Sequence, residues 1–152
     1  MFRVLALALA VALATGTASA DIYGLSEGAP ELQSAGALAF GPDGILFVGD
    51  AKGAAVFAIR TGDQAVDEAD RINLQIEGFN NQLAEEFGVA PAEVVINDLA
   101  VNPATGNVFF SLNLGPEATP SIVRLGADGD ISQLDLSEIA FSQVALPDPP
   151  AD

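Results

Sequence analysis

Leu38-Ala39-Phe40-Gly41-Pro42-Asp43-Gly44-Ile45-Leu46-Phe47-Val48 decides how this chain is read. It returns in altered form as Leu99-Ala100-Val101-Asn102-Pro103-Ala104-Thr105-Gly106-Asn107-Val108-Phe109-Phe110. Each copy reads as strand, turn, strand, with Pro presetting φ inside the turn and Gly closing it. A further apolar run follows each copy, Ala55-Val56-Phe57-Ala58-Ile59 and then Ser121-Ile122-Val123-Arg124-Leu125. A sheet unit that repeats cannot bury both of its faces alone, so repetition implies stacking against neighbours.

Working outward, a lead-in with Gly24, Gly28 and Pro30 leaves room for one strand near residues 21–25. The first copy then has strands at 36–40, 45–49 and 54–59. An acidic loop at 61–70 leads to residues 71–76, where Ile72, Leu74 and Ile76 alternate with Asn73 and Gln75 as in a half-wet outer strand. Residues 80–87 read as a short helix, because Phe79, Leu83 and Phe87 make one apolar stripe. Asn80 is its expected N-cap and Gly88 its expected C-terminal glycine. Glu85 and Glu86 oppose the helix dipole in the last turn, so the helix needs its stripe docked. The second copy has strands at 94–101, 108–112, 121–125 and 131–136. Four antiparallel strands are the content of one propeller blade.

The expected fold is therefore all-β, with two four-stranded antiparallel propeller-type blades and one short helix between them. Blade one covers about residues 34–76, the helical insert 77–93 and blade two about 94–136. The copies are offset by 61 residues at Leu38 and Leu99, longer than the usual blade repeat of about 40–50 residues. The tail at 137–152 carries Pro147, Pro149 and Pro150. Since Pro cannot continue a central strand, it reads as a linker or a loose terminus.

Met1-Phe2-Arg3, the 11-residue apolar run from Val4 to Ala14 and the small-residue stretch ending Ala18-Ser19-Ala20 read as a signal peptide over residues 1–20, cut between Ala20 and Asp21. The run is short of the roughly 20 residues that span a bilayer, so the expected product is secreted or periplasmic with no membrane attachment after cleavage. The chain of 152 residues has 21 Asp and Glu against 5 Lys and Arg, a formal charge of −16. Cleavage removes Arg3 and leaves −17. Such a surface repels phosphates, so nucleic acid is excluded as a partner. With 50% hydrophobic residues the chain has the material for a core, and with no Cys it holds together by packing alone.

The stretch Phe40-Gly41-Pro42-Asp43-Gly44-Ile45-Leu46-Phe47-Val48-Gly49-Asp50 resembles the blade signature of NHL-type and gluconolactonase-like β-propellers. Asn97-Asp98-Leu99-Ala100-Val101-Asn102-Pro103 with Thr105-Gly106-Asn107 resembles it again. The whole is similar to exported bacterial propeller proteins. The resemblance covers roughly residues 34–136 and implies a two-blade piece of a ring that normally closes with about 4–8 blades. Three expectations follow. The chain is a truncated form of a longer propeller, or it closes by homo-oligomerisation, or its two sheets pack as a small sandwich. Gluconolactonase-like propellers also hold a divalent ion through a Glu-Gly-Pro motif. Glu27-Gly28-Ala29-Pro30 resembles that motif with the Pro displaced by one.

His and Cys are both absent, which removes the Ser-His-Asp triad, Cys-His nucleophiles and His- or Cys-ligated zinc. Oxygen ligands remain, and these suit calcium. Asn97 and Asp98 open the first strand of copy two, where copy one has Gly36-Ala37. They are the first candidates for ligand binding, and Asp98 is the weak candidate for a metal. Asp50, after the second strand of copy one, is the third ligand-binding candidate. A carboxylate at such places more often accepts N–H groups from a neighbouring turn. Asp63, Asp67, Glu68 and Asp70 lack the ligand spacing of an EF-hand and read as a solvated loop. No catalytic residue and no cofactor is assigned. The functional expectation is an exported, uncharacterised binding or interaction module, with an incomplete calcium-dependent lactonase or esterase-like hydrolase as the alternative.

Overall fold

The computed structural model describes residues 22–64 and 76–147. The signal segment, its Ala20/Asp21 cleavage pair and all but the last residue of the strand expected over residues 71–76 lie outside the described residues, as do Asp67, Glu68 and Asp70. The elements are β1 (Ser26–Gly28), β2 (Leu38–Phe40), β3 (Ile45–Asp50), β4 (Ala55–Arg60), α1 (Phe79–Phe87), β5 (Val94–Val101), β6 (Val108–Leu114), β7 (Thr119–Leu125), β8 (Ile131–Gln133) and β9 (Ile139–Ala145). They form two antiparallel sheets, neither closed. The first has strand order β1-β9-β4-β3-β2 and the second β5-β6-β7-β8. Among the described residues the fold is thus mostly β with one α-helix.

Strands β2 to β4 and β5 to β8 are consecutive meanders, as short Gly- and Pro-containing turns between apolar runs require. The turn from β2 to β3 is a single 3-10 turn, Pro42–Gly44, in which Asp43 (φ 58) and Gly44 (φ 69) are both left-handed. Asp tolerates that region better than most residues and Gly enters it freely.

Two expectations are corrected. The first sheet has five strands, not four, and the segment taken for a tail supplies one of them. β9 lies between β1 and β4, with Ser26 opposite Phe141 and Phe57 opposite Gln143. Prolines bar a strand only where they stand, and β9 ends at Ala145, before Pro147. The lead-in strand also falls later than expected, at Ser26–Gly28.

The sheets pack face to face. Cross-strand partners share a face, so Leu38, Leu46, Val48, Phe57 and Ile59 form the inner face of the first sheet. They share one buried cluster with Phe109 and Ile122 from the near face of the second. Phe40 and Phe109 meet edge to face at 5.1 Å. The far face of the second sheet, with Phe110, Leu112, Leu114, Val123 and Leu125, packs against Leu83 and Ala84 of α1. Helix residue Phe79 lies 4.7 Å from Phe110, centroid to centroid. The helix N-cap is Gly78, not Asn80, and it offers no side-chain cap. Gly88 (φ 64) ends it as expected, donating to the carbonyls of Ala84 and Glu85. With no cation in its last turn, α1 depends on the docked stripe rather than on its ends.

Candidate functional site

Asp50 ends β3 and is 2% exposed. Its Oδ2 accepts the Gln33 N–H at 2.7 Å. Its Oδ1 accepts the Ser34 N–H at 2.8 Å, the Ser34 hydroxyl at 2.7 Å and the Gly53 N–H at 2.8 Å. Gly53 is required at its position, because a Cβ there would collide with this carboxylate. Burial pushes the Asp50 carboxyl up. The Ser34 hydroxyl and the N–H groups of Gly53, Gln33 and Ser34 together outweigh that, so it ionises below the usual 3.8.

Asn97 and Asp98 lie where β5 carries a bulge, between the pairs Ile96–Leu112 and Asp98–Ser111. The extra residue shifts the side-chain alternation. Asp98 and Ala100 consequently turn to the near face, toward the first sheet. The Asn97 amide donates to the Ala35 carbonyl at 2.8 Å, and Asp98 Oδ2 accepts the Leu38 N–H at 2.9 Å. That N–H, followed by the N–H of Leu99, holds the Asp98 carboxyl below its usual value. Neighbouring Ser111, which is buried, donates its hydroxyl to the Gly36 carbonyl at 2.7 Å.

These contacts converge on one stretch of backbone. From Gln33 to Leu38 the chain runs between the sheets, gripped by Asp50 on one side and by Asn97, Asp98 and Ser111 on the other. Gly36 and Gly49 complete it: the Gly36 N–H donates to the Gly49 carbonyl and the Gly49 N–H to the Ala37 carbonyl, each at 2.9 Å. The contrast between Gly36-Ala37 and Asn97-Asp98 has its explanation here. The polar pair of one copy grips the backbone on either side of the small pair of the other, at Ala35 and Leu38. All three ligand-binding candidates thus make hydrogen bonds to this backbone segment.

A second polar cluster was missed in the sequence. Asp63, read as part of a solvated loop, has a side chain only 10% exposed. Its Oδ2 accepts the Asn102 amide at 2.8 Å and the Thr105 hydroxyl at 2.6 Å. Its Oδ1 accepts the Asn107 amide at 2.8 Å, with Arg124 Nε at 3.6 Å. The Asn102 amide also donates to the Asp63 backbone carbonyl at 2.8 Å. The signal available in the sequence was the turn itself, where Asn102, Thr105 and Asn107 gather three donors around a Pro and a Gly. Donors crowd this carboxylate, the opposite of what a cation needs from its ligands. Thr61, Gly62, Asp63 and Arg124 line a shallow hollow of about 280 Å³ beside it. Another, of about 330 Å³, is lined by Pro120, Gln133, Leu134, Asp135 and Leu136.

Among the described residues no three His, Cys, Asp or Glu side chains gather as a metal cage, and no helix is long and apolar enough to cross a membrane. No protein-family model, curated protein or solved structure matches this chain.

Proposed function

We propose that this chain is an exported interaction module built from two propeller-type sheet units, whose working feature is sheet stacking rather than a reactive centre. The observation that carries this reading is the pairing of unlike faces. Leu38, Leu46 and Val48 correspond in the repeat to Leu99, Val108 and Phe110, while Ala39 and Phe47 correspond to Ala100 and Phe109. Inside the molecule, Leu46 and Val48 of the first sheet pack on Phe109 of the second. One template thus meets the other head to tail, as stacked units in a repeat architecture do. The polar side chains that a hydrolase or a calcium site would draw on support the same reading, since Asp63, Asn97 and Asp98 hold the two units together and Asp50 ties Gln33, Ser34 and Gly53 within the first.

The test is a hydrolysis panel of lactones and esters, with and without calcium, together with a calcium titration of thermal stability. The reading expects no turnover above background and no rise in melting temperature with calcium. Turnover that a chelator abolishes would overturn it in favour of the hydrolase.

A further inference from the structure

The outer face of the first sheet is the counterpart, in the repeat, of the near face of the second. Register places Ala39, Phe47, Gly49, Val56, Ala58 and Val144 together on it. Ile45, Ser142, Arg60 and Glu27 share the face by the same register; Ile45 and Ala58 are buried, and the two charges stand at its margins, so its centre carries none. Val144 is 65% exposed. At the other end of the stack, the bulge at Asn97 sends Leu99 and Val101 to the far face of the second sheet. There α1 leaves them 52% and 51% exposed. Among the described residues, the apolar, partly exposed centre of a sheet face at one end and the half-covered apolar residues at the other make two surfaces of opposite template sense.

We infer that a second copy of this chain docks head to tail, the Phe47–Val56–Val144 face of one copy against the Leu99–Val101 edge of the far face of the next. The occupant follows from the interface already inside the molecule. Phe47 and Ala39 occupy the template positions of Phe109 and Ala100, which pack against the inner face of the first sheet. Leu99 and Val101 occupy those of Leu38 and Phe40, which belong to that inner face. The same pairing of unlike faces, continued between molecules, brings the two surfaces together. A contact between two different surfaces generates a ring if the rotation closes and an open chain if it does not. The net charge of −16 opposes association at long range, so docking strengthens as salt screens it. This inference rests on the interaction-module reading and names its partner.

The experiment is light scattering on the purified chain over a concentration series, in low and high salt. Val144→Glu and Leu99→Glu each place a carboxylate on one of the two surfaces, at positions exposed enough for the fold to accept it. The native chain is expected to rise in mass by multiples of the monomer as concentration and salt increase. Each variant alone is expected to shift its association midpoint at least about tenfold upward, because a charge buried at an apolar contact is strongly disfavoured. An equimolar mixture of the two variants is expected to stop at dimers, since each retains one intact surface. A cooperative thermal transition in each variant shows that the fold is intact. A native chain that stays monomeric throughout overturns the docking. So does association lost in Val144→Glu but untouched in Leu99→Glu, which is like-with-like pairing through one face. A monomer silent in the hydrolysis panel removes the docking alone, whereas one with chelator-sensitive turnover removes the interaction-module reading as well.

Discussion

The Asp98 carboxylate on β5 accepts the backbone N–H of Leu38, at the start of β2, at 2.9 Å. The two residues are 60 positions apart in the chain and belong to different sheets. A buried or half-buried N–H that loses its acceptor costs about 1–3 kcal/mol, more than an ordinary hydrogen bond contributes. Asp98→Ala is therefore predicted to destabilise the protein by about that amount, and Asp98→Asn, which keeps an acceptor oxygen, by less. Urea midpoints decide it; an alanine variant as stable as the native chain would show that the Leu38 bond does not bind the sheets.

Asp50 makes the stability depend on acid. Its carboxyl, like that of Asp98, ionises below 3.8 in the folded protein, whereas the unfolded chain takes up its protons nearer that value. The stabilisation is thus complete above the unfolded value and is lost as pH falls through the folded one. Stability is predicted to change little with pH down to about 5 and to fall below about 4. Asp50→Asn lowers the upper plateau by about 2 kcal/mol or more and flattens the acid limb. Chemical denaturation across that range measures both, and an unchanged acid limb in the variant would assign the fall to other carboxylates.

The Asp63 junction joins the chain leaving β4 to the turn between β5 and β6. Asn102 is 1% exposed and contributes two of its hydrogen bonds. Asn102→Ala is predicted to cost about 2 kcal/mol. A double-mutant cycle with Asp63→Ala is predicted to return a coupling of about 1–3 kcal/mol. Additive losses within about 0.5 kcal/mol would mean that the two residues act independently.

Strand β9 ties the C-terminal part of the described chain to the first sheet. Phe141 lies 6.1 Å from Phe57, centroid to centroid, and packs at the margin of the core. Phe141→Ala is predicted to cost about 2 kcal/mol, less than for a fully buried ring. Ser142→Pro, in the middle of a strand paired on both sides, is predicted to cost about 3 kcal/mol or more. Hydrogen exchange should show β4 amides losing protection in the proline variant while β6 and β7 keep theirs. Equal loss in both sheets would show that the molecule opens as a single unit.

Much of this was legible because it is local. The Pro42–Gly44 turn, the runs flanking it and the Phe79–Leu83–Phe87 stripe follow from backbone preference and apolar spacing. Cap chemistry favours Asn80 as the helix start, whereas the structure begins α1 from a left-handed Gly78. Asn97, Asp98 and Asp50 were legible as polar groups in unusual places. What they touch was not, since apart from Gly53 beside Asp50 and the Leu99 N–H beside Asp98 their partners lie in the stretch from Gln33 to Leu38. Asp63 was hidden among other acids, and only the fold brings it to Asn102, 39 positions away.

By itself, then, the sequence determined roughly where strands β2 to β7, their turns and the helix form, because alternation and turn chemistry act over a few residues. The tertiary structure alone decided that residues Ile139–Ala145 fill the place beside β4, that β5 bulges at Asn97, and that Asp50, Asp63 and Asp98 turn inward. Those outcomes depend on which distant backbone groups are left in need of a partner once the sheets have stacked, and no local pattern records that.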